Sequence, residues 1–183
     1  SLRPLGDMLG NGGIHVMALD QLGSDMNTQS AVLALLLALY YDYMGSLEKA
    51  HATDATSGAR VVQALLLVDE AVNVMKYKYD LFEKLLREGR EYGVATILAS
   101  QTPEDFFQAT SYGSLLSTWI VLNGGSSAAT LGKLNPNMRG CEPEKLVPNP
   151  SGSEAYFTGT TGVVHKITSR PFHTTLPQQA PAK

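Results

Sequence analysis

The chain has one cysteine, Cys141, and four histidines, His15, His51, His165 and His173, scattered over 183 residues. A single thiol excludes an internal disulfide framework, and the histidines have no metal-ligand spacing, so structural zinc and thiol redox chemistry drop out. Long apolar runs are also lacking. The longest, Ala31 to Tyr41, is well short of the roughly 18–20 residues that cross a bilayer, and no charged-then-apolar segment opens the chain. The expectation is a soluble cytoplasmic protein with no membrane partner. Charge is sparse: 17% of residues are charged, the net charge is −3 and the pI is near 5.8, so bulk electrostatics do not mark a nucleic-acid binder. Such a role would need a locally basic surface or a pore built by oligomerisation. Apolar residues, by contrast, make up 44% of the chain, enough to bury a sizeable core and to exclude disorder for most of it.

The order of apolar segments suggests an α/β chain. A short helix and a turn at Asn11-Gly12-Gly13 precede Ile14–Leu19, which suits a strand ending at Asp20. Asn27 or Thr28 can cap a helix running from Gln29 to about Ala50, apolar nearly all round in its first half and so expected to be buried between a sheet and a second element. Residues 51–60 are small and polar and read as a loop. Val61–Val68 and Val94–Ser100 are continuous apolar runs of the kind buried on both faces of a parallel sheet. Between them Val72, Met75, Tyr79, Phe82 and Leu86 recur at helical steps, with Gly89 and Gly93 to end the helix. Thr118–Asn123 is a third strand of the same type. Residues 135–153 hold four of the nine prolines and read as irregular, Glu154–Thr158 and Val163–Ser169 form a hairpin across GTTG, and TLPQQAPAK is a mobile tail.

Parallel strands joined by helices collect ligands at their carboxyl ends. Three polar clusters are expected there: Asp20, the pair Asp69-Glu70, and Ser100-Gln101. An apolar strand followed by Asp-Glu is the form of a nucleotide-hydrolase acidic site, in which one carboxylate holds Mg²⁺ through water and the other orients the attacking water. A polar residue on the neighbouring strand tip, Gln101, could sense the γ-phosphate. The plain alternative is a buried strand that ends in charged residues and a capped loop.

The stretch ALLLVDEAVNVMKYKYDLFEKLLREGREYGVATILASQTPEDF, residues 64–106, resembles the second half of the motor domain of the HerA/FtsK superfamily of hexameric DNA translocases. There a hydrophobic strand ending DEA leads into a helix, an arginine-rich REGR-YG turn and a strand ending A(S/T)Q-x-P. The resemblance continues in register from HVMALD and, at the other end, through EAYFTGTTGVVHKITSRPF, similar to the terminal hairpin of HerA-type ATPases. It implies a partial RecA-like P-loop NTPase core, a mainly parallel sheet flanked by helices with a C-terminal β-hairpin, over residues 1–173, with 174–183 as tail. It also implies ATP and Mg²⁺ as cofactors, with Asp69 the Mg²⁺-associated carboxylate, Glu70 the residue that polarises water, and Gln101 the sensor. Arg87 and Arg90 are the candidates of which one would reach a neighbouring subunit's nucleotide; without the resemblance, they read as part of a solvated mixed-charge face with Lys76, Lys78, Lys84, Asp80, Glu83, Glu88 and Glu91. Double-stranded DNA, a hexameric ring and nuclease or other restriction subunits are the implied partners, with pore contacts sought at Gln108–Tyr112. Within the superfamily the closest role is the motor of phosphorothioation-dependent DNA restriction, and a HerA/VirB4-like ATPase of another defence or conjugation system is the alternative.

One departure matters. No GxxxxGK[ST] occurs, and GNGG at 10–13 and NGGSS at 123–127 lack the lysine followed by Ser or Thr, so the phosphate cradle is missing. The expectation is a C-terminal piece of a larger motor, inert toward ATP alone. A competing reading is a non-catalytic assembly module that keeps the motor fold as an interaction surface. Tyr40, Tyr41, Tyr43, Tyr77 and Tyr79 read as packing residues rather than base-stacking ones. Cys141 reads as an unpaired surface thiol, and His165 and His173 have no triad partners.

Overall fold

A computed structural model describes residues 5–10, 12–22, 25–50, 60–107, 112–124, 127–149 and 152–170. The chain divides into two compact units, residues 1–100 and 101–183. Among the described residues it is a mixed α/β protein with one two-stranded parallel sheet and a separate antiparallel sheet. The expected loop at 51–59, the tail and most of the expected pore segment, 108–111, lie outside the described residues.

In the first unit, helix α1 (Leu5–Gly10) is followed by a turn in which Gly12 and Gly13 take φ of 73° and 99°, as the glycines there predict. Ile14–Leu19 is not a strand. It has no ladder partner among the described residues, Ile14 and Val16 are 93% and 85% exposed, and Leu19–Leu22 is a 3₁₀ turn. Asp20 is therefore not at a strand tip. Helix α2 spans Met26–Ser46, capped by Asp25 rather than Asn27 or Thr28. The Asp25 carboxylate accepts from the Asn27 and Thr28 backbone N–H groups at 3.2 and 3.1 Å and from the Thr28 hydroxyl at 2.5 Å. These bonds, the hydroxyl's first, hold its pKa below the usual carboxylate value. Only Leu37 and Met44 of α2 are fully buried, while Leu35 and Leu39 are exposed, so the helix is covered on one side only.

Strands β1 (Ala64–Val68) and β2 (Val94–Leu98) pair in parallel, Ala64 opposite Val94 through Val68 opposite Leu98. Register partners point to the same side, so Ala64, Leu66 and Val94 face a core made with Met44 and Leu85. The opposite face carries Leu65, Leu67 and Ile97, each about half exposed or more. Both strands were expected to be buried on both faces; they are buried on one. The connecting helix is also two pieces, α3 (Val72–Met75) and α4 (Asp80–Glu88), with Lys78 at φ 53° between them. Asp80 and Glu83 in the first turn of α4 favour a fresh N-terminus there. Val74, Met75, Phe82 and Leu85 are the residues this segment buries. Gly93, at φ 67°, ends the 3₁₀ turn Gly89–Tyr92 just before β2; a Cβ there would collide with the Val61 carbonyl oxygen.

In the second unit, β3 (Trp119–Leu122) does not join the parallel pair. It runs antiparallel to β5 (Gly152–Thr158), which also pairs antiparallel with the short β4 (Pro148–Asn149) and with β6 (Val164–Ser169). Because β6 occupies one edge of β5 along Ser153–Thr158, β3 and β4 share the other edge. The hairpin across Gly159–Gly162 is as the sequence predicts. Helix α5 (Ala128–Leu134), capped by Ser127, buries Leu131, and the same unit buries Phe106, Tyr112, Trp119 and Met138. Phe106 meets Trp119 edge-on with ring centroids 5.3 Å apart. The stretch expected to be irregular before β5 contains 3₁₀ turns at Pro136–Met138 and Pro143–Lys145.

Candidate functional site

The parallel pairing of β1 and β2 decides where their polar tips emerge. Two parallel strands in step end at the same edge of the sheet, so Asp69-Glu70 and Ser100 emerge side by side at that edge. Hydrogen bonds carry the register past the strand ends: Ala99 N–H donates to the Val68 carbonyl at 2.9 Å, and Ala71 N–H donates to the Ala99 carbonyl at 2.8 Å. The second bond ties the acidic turn to the tip of β2. Ala71 is wholly buried beneath it.

Within that turn Glu70 has φ 49°, the left-handed region that costs a side-chain-bearing residue roughly 1–2 kcal/mol. Such strain collects where a side chain must be presented in one direction. Glu70 N–H donates to Asp69 Oδ1 at 3.0 Å, leaving Asp69 exposed and Glu70 half-buried. Gln101 is the next residue after Ser100 and the first of the second unit.

The other candidate residues fall elsewhere. Arg87 is in the last turn of α4, where its Nε and Nη2 both donate to Glu83 Oε1, at 3.0 and 2.7 Å. Arg90 is exposed in the 3₁₀ turn that leads into the start of β2. That is the end of the strand opposite the acidic turn, roughly 15 Å away along five residues of strand. Neither arginine therefore converges with Asp69 and Glu70 of its own chain. Tyr112, at the end of the expected pore segment, is 1% exposed and serves the second unit's core, so it is not a pore contact.

The tyrosines pack, as expected. Tyr79 donates to the Ser30 carbonyl at 2.9 Å, so the 2.7 Å bond between its oxygen and Ser30 Oγ is donated by Ser30. Tyr41 donates to Glu88 at 2.6 Å, which raises its pKa. Burial pushes Tyr40 up to about 12, and its hydroxyl is enclosed without a partner. Cys141 is half-buried rather than fully at the surface, and that burial raises its thiol pKa.

Among the described residues no three His, Cys, Asp or Glu side chains come together to hold a metal ion. The second unit contains a separate polar cleft around Lys133 that no motif announces; its only sequence trace is a lysine just before the Asn-Pro-Asn turn at 135–137. No protein-family model matches the chain, and no curated protein shows significant similarity to it.

Proposed function

We propose that the chain is the C-terminal portion of a HerA/FtsK-type motor that couples ATP hydrolysis to movement along double-stranded DNA. Its place would be phosphorothioation-dependent restriction, as in motor subunits of the kind called DptH or DndH. The observation that carries the reading is the side-by-side exit of Asp69-Glu70 and Ser100 from parallel strands, with Gln101 following. An acidic strand next to a polar-tipped one is the arrangement that a nucleotide hydrolase needs on one side of a γ-phosphate. In this reading Asp69 holds Mg²⁺ through water, Glu70 polarises the attacking water and Gln101 senses the phosphate. The metal would neutralise charge on the phosphates. Arg87 and Arg90, set away from the acidic turn, would act only on a neighbouring subunit's nucleotide in a ring, and Arg87 would first have to leave Glu83.

A second reading is favoured by the exposed Leu65, Leu67 and Ile97: a motor-derived module whose role is assembly. ATP hydrolysis, with and without duplex DNA, separates the two when measured on this chain and on a form extended upstream, each beside its Glu70→Gln variant. The motor reading expects the extended form to hydrolyse ATP, a fall of about a hundredfold or more with Glu70→Gln, and no activity from this chain alone. Hydrolysis indifferent to the substitution, or absent from the extended form, overturns it.

A further inference from the structure

The second unit holds a cleft of about 540 Å³, within the range of small-molecule sites. Every residue lining it lies between positions 113 and 162, so it stands on that unit alone and does not depend on the acidic turn. Its polar lining is Ser114, Ser117, Lys133, Asn135, Asn137 and Thr160, and no lining residue carries a carboxylate.

The charge balance is one-sided. Lys133 is exposed and forms none of the ion pairs among the described residues, whereas Lys145 and Lys166 of the same unit are held by Glu142 and Glu154. The same cleft is lined by residues that carry three hydroxyls and two carboxamides, brought by the Asn135–Asn137 turn, the segment before β3 and the β5–β6 turn. The last of these closes tightly on Asn137: Gly162 has φ 72°, and a Cβ there would meet Asn137 Nδ2 at 2.9 Å. Glycine at 162 thus allows the hairpin turn to sit against the carboxamide.

A permanent cation sharing a cleft with neutral donors from several elements suits a multiply accepting anion. A carboxylate, planar and singly charged, matches such a set less fully than a phosphate, which carries more charge and three strong acceptor oxygens set in three dimensions. We infer that the cleft binds a phosphate group, with Lys133 as the counter-charge and Asn137 as an orienting donor. The phosphate can be carried by a small ester or by a nucleic-acid backbone.

Trp119, the chain's single tryptophan, also lines the cleft and provides a built-in reporter. The test is tryptophan fluorescence of the full chain titrated with inorganic phosphate, with AMP and with a short DNA duplex, repeated on Lys133→Met, Lys133→Gln and Asn137→Ala. Circular dichroism confirms that each variant is folded; the exposed Lys133 makes this expected for the first two. A saturable change with phosphate or AMP, weakened about tenfold in both Lys133 variants and less in Asn137→Ala, establishes a site for free phosphate or its esters. The same pattern with the duplex alone assigns the cleft to backbone phosphates. No saturable change with any probe, or a change that both Lys133 variants retain, overturns the inference.

Discussion

The parallel pair β1–β2, almost wholly apolar, and the antiparallel sheet around β5, whose strands β5 and β6 carry Ser, Glu, His, Lys and Thr, solve different problems. The antiparallel strands β5 and β6 are joined by a five-residue connection, so their pairing is local and consecutive strand ends alternate between the two edges. The parallel pair needs the whole crossover from Asp69 to Gly93, a longer closure. In return, both of its strands end on the same side, where Asp69-Glu70 and Ser100 meet. One arrangement favours easy closure and the other gathers polar groups at one edge. Each also carries a local defect: a left-handed Glu70 at the parallel tip and, in the antiparallel sheet, a fully buried Thr158 whose hydroxyl has no partner.

The sharpest way to break this comparison is to ask whether the two sheets rest on separate cores. Leu85 and Leu131 are both completely buried, one in each unit. Truncating either to alanine should cost about 3 kcal/mol, from lost transfer energy plus the cavity left behind. Hydrogen exchange should show Leu85→Ala lowering protection chiefly in β1 and β2, and Leu131→Ala chiefly in β3 and β5. Equal loss in both sheets from either change would mean that the chain unfolds as one cooperative body.

A matched pair of substitutions at the defects is expected to have a smaller effect and the opposite sign. Glu70→Gly should stabilise the first unit by about 0.5–1 kcal/mol, since glycine adopts the left-handed region freely, less its own entropy cost. Thr158→Val, which replaces an unsatisfied buried hydroxyl by a methyl of similar size, should stabilise the second by about 1 kcal/mol. Denaturant midpoints measure both. Destabilisation by Glu70→Gly would mean that the side chain's contacts outweigh its backbone strain; destabilisation by Thr158→Val would mean that the hydroxyl has a bonding partner after all, such as a buried water.

The sequence was most legible where structure is local. The β5–β6 hairpin, the Gly12-Gly13 turn and the parallel order of the two apolar runs around the crossover all follow from short-range pattern. It misled where a neighbour decides the outcome. Ile14–Leu19 has a strand's composition, but a strand exists only with a ladder partner, and the described residues supply none. Trp119–Leu122 is apolar enough for a parallel core strand, but it pairs antiparallel with β5, a choice that its own residues do not encode. The α2 cap moved to Asp25 because an ionised carboxylate can accept from two N–H groups and a hydroxyl at once. The acidic turn was legible as Asp-Glu after an apolar run, whereas the strain at Glu70 is a backbone property with no sequence signal. The Lys133 cleft draws on four separate segments, so spacing could not reveal it.

The weakest expected effect tests how far the antiparallel sheet relies on charge. Glu154 on β5 accepts from Lys166 Nζ on β6 at 2.9 Å and from the Val147 backbone N–H at 3.0 Å. The lysine's hydrogen bond, then the backbone one, holds the Glu154 carboxyl below the ordinary value of 4.5. A carboxyl with a lowered folded pKa contributes stability that is fully present above its unfolded value. That contribution is lost as the pH falls through the lowered folded value. Because the pair is partly exposed, salt should weaken it. Carbon-detected NMR titration of Glu154 should therefore give a midpoint below 4.5 that climbs toward the ordinary value in Lys166→Met and in high salt. A midpoint unmoved by Lys166→Met would assign the depression to the Val147 N–H alone. The β5–β6 pairing would then rest on its backbone ladder and side-chain packing, without help from the cross-strand ion pair.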